Sequence, residues 1–203
     1  MARETDDADA LIDALTSDLS DCSGFLIGID GIDGAGKSQL GRRLSTALHV
    51  PLVSLDDFLE EHRGTYVEHL RMPEIAELIR MPRAVVEGIC LLSVMEKVGL
   101  SLTRLIYLKR LGPYGDWRDR DVCDPQEPVE QVITHLDEQA KKFSQVAAQL
   151  EGEDESESDE AGLTPLRKEI ITYHARYRPH LRADYVLQVF PEGRLPADAC
   201  HRH

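Results

Sequence analysis

Apolar residues along the chain gather into two kinds of run. Short, nearly continuous runs over 25–30, 51–55, 83–87, 103–108 and 184–190 have the length and β-branched content of buried strands. Between them, apolar positions recur at helical spacing. Leu40, Leu44 and Leu48 form one such set, and residues 73–79, 89–98 and 165–177 form others. Val129, Val132, Ile133, Leu136, Phe143, Val146 and Leu150 trace a long helix from Pro128. Strands that alternate with helices predict an α/β fold with a five-stranded parallel sheet flanked by helices. Ahead of the first strand, Leu11, Ile12, Leu15 and Leu19 mark one face of a short amphipathic helix, which has no convincing cap.

Two stretches break the alternation. Residues 109–125 are rich in turn formers and arginine, and they read as a mobile lid. Residues 151–162 are Glu, Asp, Ser and Gly apart from Ala161, too little apolar area to bury, and they read as a disordered insert. The expected organisation is an acidic helical leader over 1–23, an α/β domain over 24–190 and a tail over 191–203.

Charge sharpens this division. The net charge of -14 belongs mostly to two places: residues 1–23 carry seven acids against Arg3, and residues 151–160 carry seven acids and no base. The remaining body is close to neutral, and nothing gives it the basic face that nucleic-acid binding needs. The four cysteines, Cys22, Cys90, Cys123 and Cys200, show no metal-ligand spacing, so reduced thiols in a cytoplasmic setting are expected. No run approaches the ~18 apolar residues of a membrane span. Whether the chain forms a homo-oligomer is left open.

The candidate chemistry starts where the first strand turns into a glycine-rich loop. Gly31-Ile-Asp33-Gly34-Ala35-Gly36-Lys37-Ser38 fits G-x-x-x-x-G-K-[ST], directly after an apolar strand and directly before a helical pattern. Glycines let the backbone approach a polyphosphate, and successive amides and the helix N-terminus supply positive charge. Lys37, expected on an exposed loop, would reach the β/γ-phosphates, Ser38 would coordinate Mg²⁺, and Gln39 opens the helix beside them. Asp56, Asp57 and Glu87 fall at strand ends on the same side of the sheet. Phosphoryl transfer to a hydroxyl needs a cradle, a metal, a carboxylate near the acceptor and cations over the transferred group. Asp56 is the candidate base, with a metal role as an alternative, and Glu87 is the candidate metal ligand. Arg110, Arg118 and Arg120 are candidates to cover the phosphates. Asp57, His62, Arg63 and Tyr66 lie where an acceptor pocket would form. Asp33 is a further loop carboxylate, and Asp30 reads as a residue that fixes the strand end.

Gly31 to Ser38, Leu55-Asp56-Asp57-Phe58, Val85-Val86-Glu87-Gly88-Ile89 and the stretch from Tyr177-Arg-Pro179 to Asp184-Tyr-Val186 stand in the order of the motif blocks of the uridine kinase and phosphoribulokinase family of P-loop kinases. The chain resembles that family over about residues 24–190. The resemblance implies a P-loop NTPase fold, ATP as donor and Mg²⁺ as cofactor. It further implies Asp56 as the base and Glu87 as a metal-holding acid. The acceptor it implies is a small hydroxyl-bearing substrate of the nucleoside class, while Asp57 also resembles nicotinamide riboside kinases and a sugar acceptor stays open. A guanine-nucleotide switch is disfavoured because no N-K-x-D segment follows a strand. A non-catalytic nucleotide binder is the competing class.

Overall fold

The structure, a computed structural model, describes residues 2–60, 64–151 and 162–191. His62 and Arg63, most of the acidic insert and most of the tail lie outside the described residues. The strands are β1 (Arg3–Thr5), β2 (Phe25–Asp30), β3 (Leu52–Ser54), β4 (Arg83–Glu87), β5 (Arg104–Arg110) and β6 (Tyr185–Val189). The helices are α1 (Ala8–Leu19), α2 (Lys37–Leu48), α3 (Met72–Leu78), α4 (Leu91–Val98), α5 (Arg120–Cys123), α6 (Val129–Glu151), α7 (Pro165–Tyr177) and α8 (Pro179–Arg182).

All strand pairings are parallel, in the order β1-β6-β5-β2-β4-β3. The α/β class and the flanking helices are as expected, but the sheet has six strands rather than five. The added strand is β1, whose Arg3, Glu4 and Thr5 pair with Tyr185, Val186 and Leu187 of β6. Backbone hydrogen bonds place it, so no apolar alternation betrays it. Behind it, α1 buries Leu11, Ile12, Leu15 and Leu19 against the sheet. The helix is capped after all: the Asp7 carboxylate accepts the amides of Asp9 and Ala10 at 2.8 and 3.0 Å, a bond worth about 1 kcal/mol.

The centre of the sheet is buried on both faces, which is why its strands read as unbroken apolar runs. Every residue of β2 is buried, from Phe25 to Asp30. β3 and β4 lie on one side of β2 and β5, β6 and β1 on the other, so the strand order switches sides at β2, and the crevice outside its carboxyl end is where such sheets bind ligands.

Part of the segment expected to form a lid packs against β5. Lys109 and Arg110 belong to β5, and Leu111 bridges back to Trp117. The Trp117 ring packs edge-on against Tyr107 and His180, with the Lys109 ammonium 5.0 Å above it. Val122 and Cys123 of α5 join the core.

Candidate phosphate and acceptor site

Between β2 and α2 the chain turns through three glycines at positive φ, Gly31 at 150°, Gly34 at 69° and Gly36 at 90°. A Cβ on Gly31 would stand 3.0 Å from the Leu108 carbonyl oxygen, so a side chain there would be blocked as well as strained. Gly36 is the N-cap of α2 and offers no side chain to its first amides. Those amides, with no acidic residue in the first turn, form a ready anion site.

Lys37 differs from its expected exposed position. It is 7% exposed, and its ammonium donates to the Ile32 carbonyl at 2.8 Å. The cation is thus stored inside the loop that it would serve. Beneath it, the Asp30 carboxylate accepts the Gly31 amide at 2.7 Å and the Tyr173 hydroxyl. Burial pushes the Asp30 carboxyl up to about 6, against the opposing pull of the Tyr173 and Gly31 hydrogen bonds and the Lys37 charge.

Glu87, at the end of β4, is 1% exposed. Its Oε1 accepts the hydroxyls of Ser38 at 3.0 Å and Ser54 at 2.7 Å, while its Oε2 is buried with no hydrogen-bond partner among the described residues. A buried carboxylate oxygen left without a donor is costly and invites a cation. Among the described residues no group of three or more His, Cys, Asp or Glu side chains could hold a metal. Mg²⁺ needs no such cage, because one or two protein oxygens suffice when phosphates and water complete its shell. Ser38 and Glu87 fit that ion. Ser54, which orients Glu87, carries no motif and was not legible in the sequence.

Asp56 stands on a 3-10 turn (Leu55–Phe58) immediately after β3 and is exposed. Its Oδ1 accepts the Tyr66 hydroxyl at 2.6 Å. Tyr66, expected to touch substrate, is itself buried at 3% exposure. Asp57 is exposed, with its carbonyl held by Arg71 at 3.0 Å. Asp33 is exposed and accepts the Gly34 amide at 2.8 Å. Gln39 lines a cavity of about 350 Å³ with Gly36, Arg43, Gln188, Phe190 and Asp6 of the N-terminal segment.

Of the three candidate arginines, only Arg110 is placed against the loop. Its Nη1 lies 3.3 Å from the point where a Gly34 Cβ would stand. Asp119 accepts its Nε and Nη2 at 3.0 and 3.1 Å, and the Arg167 guanidinium lies 3.7 Å from the same carboxylate. Arg118 and Arg120 are exposed, and Arg120 leans toward Asp124 at 3.9 Å. Asp119 and Arg167 carried no sequence signal, since they meet only through the fold.

No family model and no curated protein sequence matches the chain. Among solved structures it is similar to a Bacillus stearothermophilus protein described as a possible uridine kinase, with 13% identity and a TM-score of 0.47 over 88% of this chain and 98% of that one. It is also similar to a shikimate kinase from Bacteroides thetaiotaomicron, with 20% identity and a TM-score of 0.40 over 81% and 86%. A gluconokinase from Sinorhizobium meliloti shows 14% identity and a TM-score of 0.35 over 79% and 97%. At such identities no residue role transfers, and function has to be read from the geometry above.

Proposed function

We propose that the protein is an ATP- and Mg²⁺-dependent kinase that transfers the γ-phosphoryl group to a hydroxyl of a small metabolite, most readily a nucleoside. The observation that carries this reading is Glu87. Its carboxylate is buried under the phosphate loop, bonded through one oxygen to Ser38, and left without a donor on the other among the described residues. The exposed Asp56 at the neighbouring strand end adds a second carboxylate of opposite character.

Mg²⁺ bound by Ser38 and Glu87 would neutralise charge on the β- and γ-phosphate oxygens. The α2 amides, Lys37 and Arg110 would cover the transferred group, and the cavity beside Gly36 has room for the base of the nucleotide. Asp56 would take the acceptor's hydroxyl proton as the acceptor oxygen bonds to the γ-phosphorus. The bond to the β–γ bridging oxygen breaks, and its electrons leave with ADP. Among the described residues no helix is long and apolar enough to cross a membrane.

ADP release measured with and without a panel of nucleosides, nicotinamide riboside and sugars tests the proposal. Acceptor-dependent turnover is expected, with nucleosides fastest. Acceptor-independent turnover would mean an ATPase or switch, binding without turnover would mean a degenerate site, and a faster sugar would move the acceptor class.

A further inference from the structure

The proposed base stands on the exposed part of a four-residue turn at the edge of the sheet, anchored by buried Leu55 but with little around the carboxylate itself to hold it still. Its placement comes from elsewhere in the chain. The Tyr66 hydroxyl donates to Asp56 Oδ1 at 2.6 Å, and the phenol is buried. Burial, and then the Asp56 hydrogen bond, push the Tyr66 phenol far above its ordinary range, so it stays a donor. Tyr66 is fixed in turn by α7. The Glu169 carboxylate accepts the Val67 amide through Oε1 at 3.0 Å and the Tyr66 amide through Oε2. Two charge-assisted bonds from one carboxylate to successive amides define both the position and the orientation of that loop.

We infer that Glu169 and Tyr66 are positioning residues for Asp56, a deepening that rests on the proposed kinase reading. Glu169 sets the backbone at 66–67, that backbone aims the Tyr66 hydroxyl, and the hydroxyl occupies Oδ1 of Asp56. Oδ2, which has no hydrogen-bond partner among the described residues, then faces the acceptor as the single proton-taking atom. The link crosses about a hundred residues of sequence. It couples the acceptor carboxylate to α7, whose Tyr173 also bonds Asp30 under the phosphate loop. One helix therefore sets the geometry at both ends of the cleft.

The test is a double-mutant cycle in the full-length protein. Tyr66→Phe keeps the buried ring and removes only the donor, and it should lower kcat about tenfold or more, the usual effect of losing a hydrogen bond to a charged group, with KM for ATP unchanged. Glu169→Ala should match that loss, Glu169→Gln should recover part of it through its remaining acceptor oxygen, and the double variant should be no slower than Tyr66→Phe alone. Losses that multiply would show that the two residues act independently and would overturn the inference. A readout that does not need turnover is the carboxyl-carbon chemical shift of Asp56. It should move in Tyr66→Phe and move likewise in Glu169→Ala, and a shift that ignores Glu169 would overturn the inference. Failure of the kinase reading is separate: it shows as no acceptor-dependent turnover in the unaltered protein, or as an Asp56→Asn variant with full kcat.

Discussion

Glu87 and Asp56 stand at neighbouring strand ends on the same side of the sheet, yet they are built in opposite ways. Glu87 is sealed beneath the loop, bonded to two serines, with an oxygen that nothing in the described protein satisfies. Asp56 is open to solvent and steadied by one phenol. On the proposed reading, a polyphosphate and its metal present the same shape whatever the acceptor, so the end that would hold them can be finished in advance, with its cation stored in the loop and its hydroxyls and amides in place. At the other end an acceptor would have to enter and a product to leave, so the proposed base would have to meet solvent. The cost of preorganisation therefore falls on the phosphate end, where Lys37, Asp30 and Glu87 are all buried.

The contrast is broken most severely at the acceptor end. Asp56→Asn should lower kcat by about 10² to 10⁴, the range for losing a positioned general base, while ATP and Mg²⁺ affinity hold. Steady-state kinetics at saturating ATP check this, and a variant that high Mg²⁺ rescues would place Asp56 on the metal instead. At the phosphate end, Lys37→Ala should lower kcat/KM by about 10² to 10³, as removal of a preorganised charge-stabilising donor does. Because the ammonium is buried on the Ile32 carbonyl, this variant should also lose about 1 kcal/mol of stability, which a denaturant titration would read.

How much of this was legible in the sequence follows from whether each feature is local. The phosphate loop was, because its glycines, lysine and serine form one contiguous pattern between an apolar strand and a helix. The two carboxylates were legible as strand ends, since one apolar run stops at Leu55 just before Asp56 and the other ends on Glu87. The strand β1 was not: three residues paired through their backbone leave no periodicity. Nor was the burial of Lys37, which depends on how the loop folds back on itself. Ser54 on Glu87, Glu169 on the 66–67 amides and Asp119 between Arg110 and Arg167 are contacts across 33 to about 100 residues or across a turn, and no local spacing encodes them. The Asp7 cap was obscured by its acidic neighbours, any of which could have been the first residue of the helix.

A smaller effect sharpens the metal assignment. Glu87→Gln keeps the shape of the side chain and removes its charge, so the Mg²⁺ concentration for half-maximal rate should rise about 10- to 100-fold, the range seen when a metal site loses a supporting group. High metal should restore much of the rate. Mg²⁺ titrations at saturating ATP compare it directly with Asp56→Asn. If Glu87→Gln resists rescue and Asp56→Asn accepts it, the two carboxylates have exchanged roles.

The smallest effect is on stability, and it separates the ends by pH. The Asp30 carboxyl is raised from 3.8 to about 6 by burial, so between those values the folded state holds a proton that the unfolded chain has released. Stability from Asp30 is full below pH 3.8 and is lost as pH rises through 6. Buried His174 acts in the opposite sense. Burial lowers it from 6.5 to about 4, so its contribution is full above 6.5 and is lost as pH falls through 4. The two opposing slopes flatten the unaltered protein between pH 4 and 6. Asp30→Asn removes one of them, so the stability of the variant minus that of the unaltered protein should climb by on the order of 1–2 kcal/mol from pH 4 to pH 6. Urea titrations of both proteins across that window measure the difference. A difference that stays constant with pH would show that Asp30 ionises as freely in the folded protein as in the unfolded chain. In that case the phosphate end would carry no burial penalty from Asp30 beneath its loop, and the contrast with the open acceptor end would rest on Glu87 and Lys37.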